Sequence, residues 1–317
     1  MLNPGDVGHR VVVRYRTADG PSDVLGELIR LDTDLLAVRT EAGEEREIPQ
    51  RDVVAGKPVG PRPPRYSEII ALERVAERAW PAPEVEQVGG WLLRAAGGWT
   101  NRANSALPLG PGAGPLEETV RACRRFYTAR GLTPKITVPL PVGREVARHL
   151  EATGWVAQPA VLVQTAPLPG MAAPAPGVDL RPEPSPEFLA LVAARKEGLP
   201  RAATHVLTAV PAVRFGQVVG GREPGWGGVM APDGTLLAAT RGAVVESWLH
   251  IGLVEVVPGA RRQGHARALA SALAAWAVEL GAARGVLQVE QRNEPAIRLY
   301  EGLGFVTHHT YVTYRAP

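Results

Sequence analysis

Residues 248–305 narrow the fold of this chain more than any other stretch. They open with WLHIGLVEVVP (248–258), a nearly continuous apolar run of the kind found in a strand covered on both faces. Arg261, Arg262, Gln263, Gly264, His265 and Ala266 follow directly. Apolar residues at Ala266, Leu269, Ala270, Leu273, Ala277 and Leu280, spaced by three and four, then predict a helix that Gly281 stops. A second strand (285–289) and a segment from Asn293 to Gly304 and Phe305 complete the pattern. A strand that delivers a glycine turn into a helix N-terminus presents free backbone N–H groups and the positive end of the helix dipole, which together make an anion site. Gly264 and Ala266 are small enough to let a pyrophosphate approach the main chain, and the arginines add neutralising charge. The sequence has neither the G-x-G-x-x-G of a dinucleotide turn nor the G-x-x-x-x-G-K-[ST] of a P-loop.

The same pattern occurs earlier in the chain in weaker form. At an offset of 150 residues, Pro108, Gly114 and Gly131 fall on Pro258, Gly264 and Gly281. Arg148, Glu151, Gly154 and Val156 fall on Arg298, Glu301, Gly304 and Val306, with Trp155 against Phe305. Glycines that recur where the chain turns predict shared turn geometry, so the two stretches read as a tandem duplication of low identity. The first copy departs from the second at the chemistry. Pro111-Gly112-Ala113-Gly114-Pro115-Leu116 stands opposite 261–266, with prolines that remove amide donors, and Leu150 stands opposite Tyr300. The first copy is expected to keep the fold and to have lost the reaction.

Residues 9–56 read as five short strands, 9–16, 24–31, 35–40, 46–48 and 52–55, separated by turn signals such as Ala18-Asp19-Gly20 and Glu41-Ala42-Gly43. They predict a small barrel, most simply of the SH3-like kind, a scaffold that says little about function. Proline-rich stretches at 57–66 and 167–177 read as linkers, giving segments 1–57, 66–167 and 178–317. The fold class is therefore α/β (α+β), with two mixed sheets flanked by helices after a small β-barrel.

Composition removes several classes of function. Of 317 residues, 45% are hydrophobic and 21% charged, as in globular proteins. No apolar run approaches the ~18–20 residues that span a bilayer, and MLNPGDVGHRVVV lacks a signal-peptide layout, so a soluble, cytoplasmic chain without membrane contact is expected. A single cysteine, Cys123, excludes a disulfide framework and a cysteine-based zinc site, and no metal is expected. Its helical spacing with Leu116, Val120 and Tyr127 places Cys123 in a core. The net charge of +3 is spread thinly, and residues 1–60 hold 8 Lys/Arg against 11 Asp/Glu, so nucleic acid is not an expected partner.

Arg261, Gly264 and Ala266 match a [R/Q]-x-x-G-x-[G/A] turn, and Asn293, Ala296, Leu299, Tyr300, Gly304 and Phe305 match N-x-x-A-x-x-L-Y-x-x-x-G-F. With these two motifs in order, and a helix and a strand between them, the sequence resembles the GNAT superfamily of acyl-CoA-dependent N-acetyltransferases. The resemblance covers 178–317 directly and 66–167 through the internal repeat. The three-part layout is similar to a group of bacterial GNAT proteins with an SH3-like N-terminal module and two GNAT-like halves. This implies tandem GNAT-like mixed sheets, acetyl-CoA (coenzyme A) as co-substrate, and one working site in 178–317. It also implies that the pantetheine arm pairs with the main chain near Val254 and Val256, between the family's fourth and fifth strands. The pyrophosphate would rest on the amides of Arg262, Gln263, Gly264, His265 and Ala266, with Arg261 as the motif cation. Asn293 would contact the cofactor or an ordered water, and Tyr300 would face the thioester sulfur.

The implied reaction is direct attack of an amine on the acetyl thioester. At pH 7 a lysine-like amine is neutral in roughly one molecule in a few thousand, a penalty of about 4–5 kcal/mol, whereas an α-amine pays about 1 kcal/mol. An α-amine therefore needs a base far less. Base candidates on the apolar strand are Glu246, His250 and Glu255. His250 has a suitable intrinsic pKa but reads equally as a satisfied core histidine. Glu255 interrupts the strand beside the expected thioester site and also reads as a rim salt-bridge partner. Tyr300 is expected to serve the leaving thiolate, by proton transfer or by a hydrogen bond. His308, His309, Tyr311 and Tyr314 alternate along the last strand, on a face that either reaches the acceptor or is solvated. The acceptor pocket is expected from about 186–215 and 305–315, where Arg195-Lys196-Glu197 and Arg201 point toward a carboxylate- or phosphate-bearing acceptor. Trp226, among Gly225, Gly227 and Gly228, reads as a pocket wall or a packed loop aromatic. The expected acceptor is a small-molecule amine, such as an amino acid or amino metabolite. The alternatives are protein N-termini or lysines, and a non-catalytic acyl-CoA-binding regulator whose SH3-like module meets a protein partner.

Overall fold

A computed structural model describes residues 2–60, 62–195, 198–220, 229–231 and 234–317. The chain forms two compact units, Met1–Pro63 and Pro64–Pro317. In the first, β1 (Arg10–Thr17), β2 (Gly20–Leu31), β3 (Leu35–Thr40), β4 (Glu45–Pro49) and β5 (Val53–Pro58) form an antiparallel sheet in the order β4-β3-β2-β1-β5. Alternation along these strands buries Val11, Val13, Leu28 and Val38 on one side. β2 starts earlier than the expected residue 24, because its hairpin with β1 is tight and pairs Thr17 with Gly20.

The larger unit opens with α1 (Tyr66–Arg78), β6 (Glu84–Val88), β7 (Trp91–Ala95), β8 (Ala106–Pro108), α2 (Leu116–Thr128), β9 (Lys135–Leu140), α3 (Arg144–Ala152), β10 (Val156–Ala157) and β11 (Val161–Pro167). Next come β12 (Val178–Arg181), α4 (Pro186–Arg195), α5 (Arg201–Thr208), β13 (Ala212–Val219), β14 (Val229–Ala231) and β15 (Gly234–Val245). The chain closes with β16 (Trp248–Val256), α6 (His265–Glu279), β17 (Arg284–Glu290), α7 (Glu294–Glu301) and β18 (Val306–Arg315). One mixed sheet joins them in the order β12-β13-β15-β16-β17-β11-β18-β9-β8-β7-β6, with β10 on β18 and β14 on β15.

The two repeats do not build separate sheets. β11, from the first repeat, lies between β17 and β18 of the second, and β18 in turn pairs with β9. The register explains the exchange. Val161 faces Tyr311, and at the offset of 150 these are the same position of the two repeats. Val156 opposite Arg315 and Thr165 opposite Val306 are likewise images of one another. A local two-fold axis passes through the β11–β18 pair, and each repeat completes the sheet of the other. The proline stretch at 167–177 is therefore a link within one compact unit, whereas the one at 57–66 contains the boundary between the two units.

The shared turns are where the sequence offset placed them, with one exception. Gly154 and Gly304 have φ of 80° and 86°, and the amides of Trp155 and Phe305 that follow them bond to Leu150 and Tyr300 carbonyls at 2.9 Å. Gly264 has φ of 85°, but Gly114 is not left-handed, and its surroundings differ. The Gly90 amide donates to Pro111 O at 2.6 Å, and a Cβ on Gly89 would lie 2.4 Å from Gly112 C. The β6–β7 hairpin thus packs onto the loop that precedes α2.

α6 buries Leu269, Ala270, Leu273, Ala274 and Ala277 against the sheet. Gly242 on β15 admits it closely, since a Cβ there would meet Leu273 at 2.7 Å. Leu280, expected on this face, is 51% exposed because the helix ends there. Cys123 is buried with Val120, Phe126 and Tyr127 on α2. Trp80 and Trp99 of the first repeat share a core with Phe188 and Phe215 of the second. Among the described residues, no helix is long and apolar enough to cross a membrane.

Candidate active site

β16 pairs with the parallel β17 only where residues 248–251 meet 284–287. Just beyond, the register of β16 against β15 shifts between Ala239 and Arg241, and Leu253 adopts φ of 52°. A bulge of this kind bends its strand and raises the local twist. It carries β16 away from β17, and a cavity of about 630 Å³ opens between them. Its walls are residues 252–255 of β16, 288–290 of β17, and Asn293, Ala296 and Tyr300. Val256 pairs with Ala238 on β15, so the other edge of β16, past Ile251 and along Val254, has no strand partner.

Downstream of β16, a 3-10 turn (Pro258–Ala260) leads to Arg262 with φ of 62° and to Gly264, the N-cap of α6. No side chain caps this helix. Its first bonded amide is Ala268, which donates to Gly264 O at 2.9 Å, and the amides of Arg262, Gln263, Gly264, His265, Ala266 and Arg267 donate to no described residue. The loop is held from outside: Gln263 Nε2 donates to Gly259 O at 3.2 Å and Arg267 Nη2 to Gly302 O at 3.0 Å. Six open amides at the positive end of a 15-residue helix form an anion site, and a left-handed glycine with open space where a Cβ would stand leaves room for a diphosphate. His265 Nε2 is buried there without a partner.

Tyr300 is 7% exposed, its ring set edge-on to Phe305 at 5.8 Å. Its hydroxyl donates to no described residue, and burial followed by the Glu255 charge lifts its pKa well above the ordinary tyrosine value. Asn293 caps α7, its Oδ1 accepting the Ala296 amide at 3.3 Å, and it also lines the cavity. Glu255 lines the cavity while its carboxylate accepts Arg195 Nε at 2.8 Å, so the salt-bridge reading of this residue is realised at the cavity wall.

His250 does not line the cavity. It is fully buried, with Nε2 lying 2.9 Å from both Arg102 Nη1 and Gln288 Oε1. A guanidinium only donates, so facing it this nitrogen offers its lone pair, which leaves Gln288 Oε1 as a second acceptor beside it rather than a partner. Burial, then Arg102 and Arg241, hold the pKa well below that of a free imidazole. A proton there would face a guanidinium, Nδ1 is buried with no partner among the described residues, and the ring lies in the core rather than on the cavity wall. Glu246 sits in the β15–β16 hairpin with φ of 54°, paired with Arg78 at 2.7 Å and away from the cavity.

His308 and His309 do not reach the cavity either. His309 Nε2 lies 2.8 Å from Glu73 Oε1, a buried pair that ties β18 to α1, and His308 Nδ1 lies 2.9 Å from His309 Nδ1. Tyr314 donates to Glu151 at 2.7 Å, whereas Tyr311 lines the cavity. Arg201 opens α5 and is not a lining residue. Lys196, Glu197 and Trp226 lie outside the described residues.

Sequence reasoning missed the contribution of the first repeat. Trp80, Thr100, Asn101, Arg102, Gln158 and Pro159 close the side of the cavity away from α7. The loop that carries Arg102 is stapled by buried Asn104, whose Oδ1 accepts the Ala96 and Gly98 amides, both at 2.8 Å. Its Nδ2 donates to Trp99 O at 2.6 Å and Thr100 O at 2.9 Å. The local signal is slight: a polar Thr-Asn-Arg run after Trp99, where the repeat offers no motif.

A mixed sheet with helices around it, split at a bulged strand, with a tyrosine in the wedge and free helix amides beyond it, defines the GNAT class of N-acetyltransferases. Residues 66–314 match the family described as "Probable histone acetyltransferase Rv0428c C-terminal" and residues 5–57 match "Rv0428c N-terminal Sm-like domain", and the chain belongs to this family of acetyltransferases. The "Probable histone acetyltransferase Rv0428c" of Mycobacterium tuberculosis (strain ATCC 25618 / H37Rv) is 32% identical over 318 residues, covering 98% of this chain and 95% of that protein. A GCN5-related N-acetyltransferase from Kribbella flavida superposes with a TM-score of 0.56 at 15% identity, over 78% of this chain and 95% of that one. A functionally unknown conserved protein from Staphylococcus epidermidis ATCC 12228 does so with a TM-score of 0.51 at 7% identity, over 77% and 98%. At such identities the two structures speak for the fold alone. The N-terminal unit is thus matched as Sm-like, where an SH3-like barrel was expected. Strand number and spacing, which are what the sequence exposes, do not separate two small five-stranded folds.

Proposed function

We propose that the wedge between β16 and β17 binds acetyl-CoA and transfers its acetyl group to the amine of a small molecule. The observation that carries this reading is the continuity from the Tyr300 hydroxyl, along the unpaired edge of β16, to the open amides of 262–267. Those amides hold the diphosphate, and the main chain at Val254 and Val256 fixes the pantetheine arm. A β16 amide that polarises the thioester carbonyl adds a preorganised term of several kcal/mol. One ammonium proton passes to Glu255 or to solvent before attack. The N–C bond then forms as the C–S bond breaks, and the second proton ends on the thiolate. Tyr300, kept protonated by burial and by Glu255, contributes a hydrogen bond to that thiolate. Full transfer from a group above pKa 10 to a thiolate near 8.5 would run uphill.

Walls supplied by Trp80, Thr100 and Pro159 favour a small acceptor over a polypeptide. A protein lysine or N-terminus is the second reading, because the Mycobacterium tuberculosis relative is described as a probable histone acetyltransferase. The first repeat has no part in coenzyme binding in this proposal, because the β6–β7 hairpin covers its loop and Leu150 replaces the tyrosine. A cytoplasmic location and a protein partner for the N-terminal unit belong to the same reading. Calorimetry of the full chain with acetyl-CoA tests it, and a Kd on the order of micromolar is expected. Absence of heat at millimolar acetyl-CoA overturns it. Thiol release with histone peptides but with no small amine would replace the first acceptor reading by the second.

A further inference from the structure

We infer that the acceptor carries a carboxylate and that Arg102, reaching across from the first repeat, binds it; this rests on the wedge being the acetyl-transfer site. Arg102 lines the cavity, yet no described carboxylate lies within 4.0 Å of it. Its guanidinium carbon is 5.2 Å from the Trp80 ring centroid, its Nη1 meets the His250 lone pair at 2.9 Å, and its Nε is buried with no partner. Behind it, Arg241 is wholly buried, 5.1 Å from the same indole. Arg241 Nε and Nη1 donate to Leu207 O at 2.8 Å and Ala79 O at 3.0 Å, while Nη2 has no partner. Two guanidiniums thus flank one tryptophan without a counter-ion among the described residues, and burial keeps the histidine between them from taking up a proton.

Burying a charge without a partner is costly, so such a site is incomplete without an anion. The carboxylates of the cavity are committed elsewhere: Glu255 to Arg195 at 2.8 Å and Glu290 to Arg292 at 2.6 Å. The excess positive charge therefore lies on the first-repeat side. The Asn104 staple fixes the loop before any ligand arrives, which lowers the ordering cost of binding. Of the two arginines that line the cavity, Arg292 is paired with Glu290, and the planar fork of Arg102 is left to suit a planar carboxylate. With the carboxylate on Arg102 and the amine toward Glu255 and Tyr300, an amino acid spans the cavity. Its α-amine is also the kind that least needs a strong base. The arginines of 195–201 that suggested an anionic acceptor from sequence do not serve here; another arginine, far away in the chain, takes that place.

The test compares acetylation of amino acids and amino-bearing carboxylic acids with that of their carboxamides, in the wild type and in Arg102→Gln and Arg102→Lys. In the wild type kcat/KM is expected to be at least tenfold higher for the acids. In Arg102→Gln the acid-to-amide ratio falls to within threefold of unity through a higher KM for the acids, and Arg102→Lys keeps part of the preference. Acetyl-CoA binding by calorimetry separates the two levels of failure. A wild type that binds no acetyl-CoA overturns the wedge reading itself. A wild type that binds it but shows no acid preference, prefers phosphorylated amines tenfold, or turns over no acid at all overturns the Arg102 inference alone. An Arg102→Gln variant that keeps the wild-type ratio also overturns it, and if that variant fails to fold, the wild-type ratio and Arg102→Lys still decide.

Discussion

Replacing Tyr300 with phenylalanine isolates one oxygen atom whose structural and chemical roles differ sharply. In the fold, the hydroxyl donates to no described residue, and the ring stays packed on Phe305. Tyr300→Phe therefore leaves no orphaned acceptor, and its stability cost is expected to stay within about 1 kcal/mol, a few degrees of Tm. In the proposed reaction, the hydroxyl faces a sulfur that gains negative charge. A hydrogen bond to a charged group contributes about 1.5–3 kcal/mol, and each 1.36 kcal/mol is a factor of ten in rate. A loss of about ten- to a hundredfold in kcat follows. The ground-state thioester sulfur is a poor acceptor, so the Kd for acetyl-CoA should move by less than threefold. Thiol release at saturating acetyl-CoA, calorimetry and a thermal melt on the same preparation read all three quantities. Because burial and Glu255 raise the Tyr300 pKa, its titration should add no alkaline limb below pH 10 to the wild-type profile. Wild-type kcat in Tyr300→Phe refutes the role, and so does a rate loss that comes with a Tm drop above about 5 °C, since the hydroxyl would then act through packing.

Three further outcomes are expected. Gly264→Val forces a β-branched residue into φ of 85°, a strain of about 1–3 kcal/mol, and crowds the open amides, so the acetyl-CoA Kd should rise at least tenfold; an unchanged Kd would show that the diphosphate binds elsewhere. Burial and His309 push the His308 pKa down to about 4. The unfolded chain thus takes this proton near pH 6.5 and the folded chain only near 4, and stability held at pH 7 is lost as pH falls through that window. The full shift corresponds to about 3 kcal/mol, which solvent screening of a half-buried ring reduces to about 1–2 kcal/mol. Buried His250, whose pKa is also held low, adds to the loss in the same window, so urea titrations at pH 7, 6 and 5 should show at least that loss and His308→Gln should lessen the slope without abolishing it; an equal slope in the variant rejects the assignment. Finally, residues 66–168 expressed alone should give no cooperative melt, because β11 loses both β17 and β18 and β9 loses β18. A sharp transition for that fragment would contradict the exchange.

What was legible in the sequence was local. The 261–266 turn, the α6 stripe and the 293–305 segment each declare themselves within a few residues, through glycine placement, helical spacing and a cap. The wedge parts sit where those signals put them. The opposite wall was not legible, because Trp80, Arg102 and Pro159 reach the cavity only through tertiary contacts with no fixed sequence spacing. Whether His250 faced the core or the cavity was not legible for a related reason. Its position on the strand was read correctly, but which face it presents depends on Arg102, about one whole repeat away in the chain. His309 likewise turns toward Glu73 on α1, with His308 against its ring, partners that alternation along β18 cannot reveal. The internal repeat exposed the duplication through its glycines, yet identical offsets are equally compatible with two side-by-side sheets and with one interleaved sheet.

The interleaving supplies a physical reason for a first repeat without a tyrosine or an open loop to remain attached. β11 fills the slot between β17 and β18, and the Gln158–Pro159 link that precedes it forms part of the cavity wall. Removing the first repeat would therefore unpair β17 along the edge opposite the wedge and take Arg102 away together with that wall. Symmetry also makes one position decisive. On the local axis a residue faces its own image, so two identical side chains there would give both repeats the same surface. Here the pair is Val161 and Tyr311. Both line the cavity, but only the tyrosine brings a polar group, and Arg102 lies against its hydroxyl. The departure from symmetry at the axis thus places the hydrogen-bonding group of the second repeat beside the charge contributed by the first, in a wall that both repeats build.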